Sequence, residues 1–317
     1  MDLMFLRTNL FYESVRILQK ELSIIAGPSS PDLAAKIAQD LRAELIPVDV
    51  RIFSDGESRI KMGNVKKKNC VIVQSTYPPT DRHLLQTLMM IKKCTDDLAA
   101  DICTVIPYMA YARQDRAFQD GEVISIELIA KLLEAAGNKR LITIDIHSPL
   151  ALSYFRIDVQ NISSIPLLAN YAASNMKLNR TIVVSPDAGG IKRAYEFAKI
   201  LGSDIIALKK CRDSNSGEVS IDDNLEHNIA DRDVIIVDDI ITSGGTIAKA
   251  CRVLKKNKAD KIYTMCVHAP LVEDAAEKIR AAGVKEIIST NSIPSPYAKV
   301  DISPIVSSSV RSLPYTQ

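Results

Sequence analysis

Hydrophobic residues fall along this chain in two rhythms. Short unbroken apolar blocks rich in Val and Ile, such as Val71–Val73 and Val234–Val237, are separated by longer segments whose apolar positions return every three or four residues. A β-branched block without a polar break suits a strand covered on both faces, and the slower rhythm suits a helix with one buried stripe. The spacing predicts strands over Leu22–Gly27, Val71–Gln74, Ile102–Pro107 and Leu141–Ile146, with helices over Asp32–Leu45, Arg82–Cys94 and Ser125–Ala136. The second half repeats the plan. Helices are expected over Ser164–Met176, Gly190–Leu201 and Glu273–Ala282, and strands over Thr181–Ser185, Ile205–Leu208, Val234–Val237, Ile262–Val267 and Ile287–Ser289. Strands alternating with helices imply an α/β fold with doubly wound, mainly parallel sheets flanked by helices.

The two halves correspond in detail. Val71–Thr76 stands where Ile235–Asp239 stands later, and Thr104–Pro107 stands where Val183–Pro186 does. This reads as a duplication in which the first copy lost its acids. The expected domains are residues 22–160 and 161–301, with a segment from about 302 to 317 packing on the first and residues 1–21 forming an appendage.

The densest local signal is Asp233–Arg252. Its apolar block ends in Asp238 and Asp239 at the carboxyl edge of a strand, where open α/β sheets bind ligands. Thr242, Ser243, Gly244, Gly245 and Thr246 follow, opening a helix whose apolar positions recur at Ile247, Ala250, Cys251 and Leu254. Backbone amides, hydroxyls and a helix dipole at such a turn suit a phosphate. The neighbouring carboxylates can accept hydrogen bonds from paired ribose hydroxyls or hold a metal ion.

Three other runs carry candidate chemistry. Arg51–Glu57 reads as a hairpin turning at Asp55-Gly56. Tyr108–Arg116 places aromatic and basic side chains just beyond a buried strand, a position suited to stacking on a base and pairing with a polyphosphate. Ile142–His147 ends a strand with a histidine at the ligand edge.

Together RIFSDGE (51–57), VIPYMAYARQDR (105–116), DIHS (145–148), VSPDAGG (184–190), VDDIITSGGTI (237–247) and STNSIP (289–294) resemble the ribose-phosphate pyrophosphokinase family in kind, order and approximate spacing. The resemblance runs from Leu22 to Leu313. It implies two tandem type I phosphoribosyltransferase-like domains, and an enzyme that moves the pyrophosphate of ATP onto the anomeric oxygen of ribose 5-phosphate, with Mg2+ required. It implies that ATP lies against Phe53, Asp55, Gly56 and Glu57 of a neighbouring subunit and against Arg113, Gln114 and Asp115. It implies that His147 and Asp187 are magnesium ligands, and that ribose 5-phosphate lies over Arg212, Asp238, Asp239 and Thr242–Thr246. Lys210 and Arg212 match the family's catalytic lysine and arginine, with Lys209 a rival one residue away, on a polar mobile loop over 212–218. A dimer or hexamer is implied.

The chain departs from the family at Thr242, where an acid is frequent, and at Ala117–Gln119, which replaces a basic pair. Thr242 should still bind phosphate through its hydroxyl and the backbone amides, while the 117–119 segment and the N-terminal appendage bear on allosteric control and assembly. Two other functions remain open on sequence: a synthetase-like regulatory subunit without catalysis, and a phosphoribosyltransferase with a fused nucleotide-sensing domain.

Composition narrows the class further. At 317 residues with 47% apolar residues, the chain is long enough for two cores. Forty Lys and Arg against 38 Asp and Glu leave a net charge of +2, which favours neither nucleic acid nor an anionic membrane as partner. Six cysteines without a C-x-x-C pair fit a reduced, cytoplasmic setting. No apolar run reaches the roughly 18 residues that a spanning helix requires.

Overall fold

The computed structural model describes residues 22–212, 219–221, 225 and 227–315. The expected appendage over 1–21, the side chains of 210–224 and the loop over 213–218 lie outside the described residues. Two compact units emerge, one spanning Ser163–Ile302 and the other formed by the chain on either side of it.

The first unit contains β1 (Leu22–Ala26), α1 (Pro31–Leu41), β2 (Glu44–Ile52), β3 (Ser58–Met62), β4 (Asn69–Val73), α2 (Thr80–Asp96), β5 (Asp101–Ile106), α3 (Ser125–Ala136), β6 (Arg140–Ile144), α4 (Pro149–Leu152) and β7 (Asp158–Ile162). Its sheet runs β3-β2-β1-β4-β5-β6-β7, and its one antiparallel pair is β2 with β3. β1 and β4 are buried along their whole length, as unbroken β-branched blocks require.

The second unit contains α5 (Ile165–Asn175), β8 (Ile182–Ser185), α6 (Ile191–Leu201), β9 (Asp204–Ala207), β10 (Lys210–Arg212), β11 (Val219–Ile221), β12 (Val234–Ile240), α7 (Gly245–Lys256), β13 (Ile262–His268), α8 (Ala275–Ala281), β14 (Val284–Thr290) and β15 (Ala298–Val300). Its main sheet runs β15-β14-β13-β12-β8-β9, all parallel, and β10 pairs with β11 as a separate antiparallel ribbon. A final helix, α9 (Ser303–Arg311), belongs to the first unit and packs on α1 and β7. Ser307 Oγ donates to Asp40 Oδ2 at 3.1 Å, and the Arg311 guanidinium donates to the Asp40 carbonyl at 3.2 Å.

The parallel strands of each unit follow one winding order. β1, β2, β4, β5, β6 and β7 in the first match β8, β9, β12, β13, β14 and β15 in the second. The pairing of Val71–Thr76 with the strand before Asp238 and Asp239 agrees with this order. The pairing of Thr104–Pro107 with Val183–Pro186 does not: β5 answers to β13, and β8 answers to β1. A shared V-x-P ending is local chemistry, whereas topology decides which strands are equivalent.

A second difference concerns the expected helix Asp32–Leu45, which stops at Leu41. Arg42 takes a left-handed conformation with φ 53°, and its N–H bonds back to Gln39 O at 3.1 Å. From Glu44 the inward residues are Ile46, Val48 and Val50, a period of two that makes a strand. No helix among the described residues is long and apolar enough to cross a membrane.

Candidate active site

Ligands of open parallel sheets bind beyond the carboxyl ends of strands, where the winding reverses. In the second unit that point lies between β8 and β12. β12 is buried from Val234 to Val237 and delivers Asp238 and Asp239 to this edge. Asp239 is 5% exposed, so the two acids share a confined space. Burial, then the adjacent Asp239 charge, pushes the Asp238 carboxyl up to about 8.

Arg193 answers these charges, and sequence reasoning missed it. Its guanidinium lies 3.5 Å from Asp238 Oδ1 and 3.2 Å from Asp239 Oδ2. It stands on the first turn of α6, on the far side of the winding reversal. Gly190 makes room for it, since a Cβ there would sit 2.6 Å from Ser185 Oγ and 3.3 Å from the Arg193 guanidinium. The signal available in sequence was a basic residue three positions after a glycine at a helix start, which is weak alone.

The loop after β12 has the form of an anion cradle. Gly244 is left-handed at φ 71° and carries no side-chain cap for α7, and a Cβ there would meet Ala275 O and Ile279 Cγ1 at 2.9 Å. The helix-start amides and dipole favour a phosphate. Ser243 and Thr246 are exposed, Thr242 and Gly245 are half-buried, and the Thr242 carbonyl accepts Val272 N–H at 3.1 Å. Across the reversal, Asp187 caps the 3-10 turn Ala188–Gly190 by accepting Gly190 N–H at 3.2 Å.

The first unit holds the residues expected against ATP, and His147. Phe53–Glu57 closes the β2–β3 hairpin, with Phe53 N–H donating to Glu57 O at 2.8 Å, Gly56 N–H to Phe53 O at 2.9 Å and Glu57 N–H to Asp55 Oδ1 at 3.1 Å. Phe53, Asp55, Gly56 and Glu57 are all exposed, and the Arg51 guanidinium lies 5.1 Å from the Phe53 ring centre. Beyond β5, Arg113 is exposed, while the Gln114 amide donates to Glu122 Oε2 at 2.8 Å. Beyond β6, Asp145 is held left-handed at φ 39° and the exposed His147 follows, with Ile146 N–H fixed on Asn161 Oδ1 at 2.9 Å. Strained backbone of this kind collects at functional edges.

Asp115 stands apart from this exposed set. It is 4% exposed, receives Arg116 Nε at 3.1 Å, Arg116 Nη2 at 3.2 Å and the Ser148 hydroxyl, and its carbonyl accepts Tyr154 Oη at 2.8 Å. The Arg116 bonds first, then that of Ser148, hold its carboxyl below the usual carboxylate range.

Lys210 and Arg212 lie in β10, opposite Ile221 and Val219 of β11, and their side chains are outside the described residues. Lys209 is exposed. Among the described residues no three His, Cys, Asp or Glu side chains converge on a metal position. Magnesium takes one or two protein ligands and completes its shell with waters and substrate phosphates, so a single carboxylate such as Asp187 suits it without a preformed cluster.

Comparisons with known proteins agree on what these parts are. Residues 22–137 match the N-terminal domain of ribose phosphate pyrophosphokinase and 162–300 match the phosphoribosyl transferase domain. A ribose-phosphate pyrophosphokinase of Sulfurisphaera tokodaii is 36% identical over 89% of this chain and 98% of its own. The Bacillus subtilis ribose-phosphate pyrophosphokinase is 37% identical over 88% of each chain. The crystal structure of phosphoribosylpyrophosphate synthetase from Mycobacterium smegmatis superposes with a TM-score of 0.83 at 27% identity, over 92% of this chain and 98% of that one. With both halves matched and the cradle in place, the chain belongs to the ribose-phosphate pyrophosphokinase family.

Proposed function

We propose that this protein is a ribose-phosphate diphosphokinase, transferring the pyrophosphoryl group of ATP to the anomeric hydroxyl of ribose 5-phosphate and yielding 5-phosphoribosyl 1-pyrophosphate and AMP for nucleotide biosynthesis. The observation that carries this reading is the cradle of Asp238, Asp239 and Gly244 at the winding reversal, in a chain whose other half matches the pyrophosphokinase N-terminal domain. A phosphoribosyltransferase needs only one such unit.

In this reading the unit around residues 161–301 takes the sugar phosphate and the unit around 22–160 takes ATP. Thr242, Ser243, Gly244, Gly245 and Thr246 receive the 5-phosphate through amides and hydroxyls. Asp238 and Asp239 accept hydrogen bonds from the ribose hydroxyls, and Arg193 keeps the acids together until the sugar arrives. Asp238 must give up its proton to accept fully, so sugar binding and proton release are linked. Phe53, Asp55, Gly56 and Glu57, supplied by a neighbouring subunit, and Arg113 and Gln114 hold the nucleotide. His147 and Asp187 would hold magnesium, which when bound supplies positive charge to the phosphate oxygens. Lys210 and Arg212 stabilise the charge that develops on non-bridging oxygens as AMP departs, Arg by gripping two oxygens and Lys as a mobile point charge. The exposed Leu85, Leu128 and Leu132 of α2 and α3 support a homo-oligomer, and the free state of the five cysteines among the described residues supports a cytoplasmic setting.

Phosphorus NMR of the purified protein with ATP, ribose 5-phosphate and magnesium tests the reading. A sugar pyrophosphate signal should grow in step with AMP. Bound substrates without product would move the assignment to a regulatory subunit.

A further inference from the structure

We propose that Asp115 is a positioning residue that couples the loop presenting Arg113 and Gln114 to the loop presenting His147. The proposal rests on the assignment of those loops to ATP and magnesium. Three attachments meet at this one residue. Its carboxylate receives both Nε and Nη2 of Arg116, which fixes the end of its own loop. The same carboxylate receives the hydroxyl of Ser148, the residue immediately after His147. Its backbone carbonyl accepts Tyr154 Oη at 2.8 Å, which ties in the chain just past α4. Ser148 in turn caps α4 by accepting Leu150 N–H at 3.3 Å.

The geometry separates roles along one short run. Arg113 is exposed and Gln114 half-buried, whereas Asp115 is 4% exposed, so the side chains that can meet a ligand precede an anchor that cannot. On the other loop, exposed His147 is followed by half-buried Ser148, which meets the same anchor. A buried carboxylate with three charge-assisted or hydroxyl donors is costly to disturb. A shift of either loop must therefore move the shared carboxylate and be felt by the other. Such a two-sided anchor is the physical form of a coupling free energy between nucleotide and cation, and coupling of binding is reciprocal. This places Asp115 behind the ATP site rather than in contact with the nucleotide.

The test compares wild type with Asp115→Ala, Asp115→Asn, Ser148→Ala and Asp115→Ala with Ser148→Ala. Calorimetric titration with α,β-methylene ATP, with and without magnesium, measures how much each strengthens the other, and initial rates give the Michaelis constants for ATP and ribose 5-phosphate. Asp115→Ala should cut the magnesium-dependent gain in analogue affinity about tenfold and raise the ATP constant while leaving the ribose 5-phosphate constant unchanged. Ser148→Ala should show the same pattern about threefold, the double variant should match Asp115→Ala alone, and Asp115→Asn, which still accepts from Ser148, should recover most of the loss. Multiplying effects in the double variant would overturn the proposal, as would analogue affinity that falls equally with and without magnesium. If Asp115→Ala does not fold, the selective pattern in Ser148→Ala decides the matter. Wild type that binds the analogue but makes no sugar pyrophosphate would overturn the functional assignment, while a productive wild type with an unchanged Ser148→Ala would overturn this proposal alone.

Discussion

The two units wind their strands in the same order and finish the equivalent strand in opposite ways. In the second unit β12 ends in two acids facing one arginine, then a left-handed glycine and an uncapped helix start. In the first unit β4 is followed by Gln74, Ser75 and Thr76, which are 0%, 0% and 1% exposed. Their polar groups are taken up internally. Gln74 Oε1 accepts Ser29 N–H at 2.9 Å, Ser75 N–H donates to Ser30 Oγ at 3.0 Å, and Ser75 Oγ accepts Tyr108 N–H at 3.0 Å. Thr76 Oγ1 accepts Ala110 N–H at 2.9 Å and donates to Tyr108 O at 2.8 Å. A neutral, satisfied cluster costs little to bury, whereas adjacent carboxylates in a confined space stay costly until a partner relieves them. The same topological position thus carries paired acids and an open helix start in one unit and an internally satisfied plug in the other.

The widest separation between the units should come from Lys210→Ala. Turnover is expected to fall about 100- to 1000-fold, the usual loss for one transition-state contact, with calorimetric ATP affinity nearly intact. Equal loss of both would remove the assigned role. Arg193→Met leaves two buried acids without their cation and should cost about 3 kcal/mol. Its melting temperature should drop more at pH 9 than at pH 5, because Asp238 is protonated at the lower value. Gly244→Val adds about 1–2 kcal/mol of left-handed strain as well as overlap with Ala275 and Ile279, and should raise the Michaelis constant for ribose 5-phosphate at least tenfold in order of magnitude. In the plug, Gln74→Leu strands Ser29 N–H and should cost about 1 kcal/mol, read as a drop of about 2–4 °C in melting temperature. The sugar constant should stay fixed; a rise would mean that the plug still takes part in binding.

The last comparison concerns pH. A carboxyl raised from about 4 to about 8 on folding binds its proton more tightly in the native state, so its stabilising contribution is full below the unfolded value and is lost as pH rises through about 8. Ligand-free wild type should lose stability across that window, and Asp238→Asn should flatten the loss, as followed by melting at pH 5, 7 and 9. An unchanged slope would show that the proton sits elsewhere.

Much of this comparison is legible in the sequence. β12, its acids and the glycine cradle are contiguous, so every clue lay within one window. Arg193 was not readable because its partners lie 45 and 46 positions later, brought near only by strand pairing between β8 and β12. The edge strands β7 and β15, with sequences DVQNI and AKV, carry too few apolar residues to signal themselves. β2 was hidden because Arg42 ends α1 in a conformation normally announced by glycine. Asp115 looked like its exposed neighbours, since nothing local distinguishes a carboxylate that faces inward.

The position of α9 gives the first unit a history as well as a shape. Its residues follow Ile302, after the whole second unit, yet they pack on α1 and β7. On a ribosome, every residue of the second unit is made before the helix that closes the first. The unit that holds β1 is thus closed by residues made after β15, and the glycine cradle of the other unit is already synthesised when that closing helix is made.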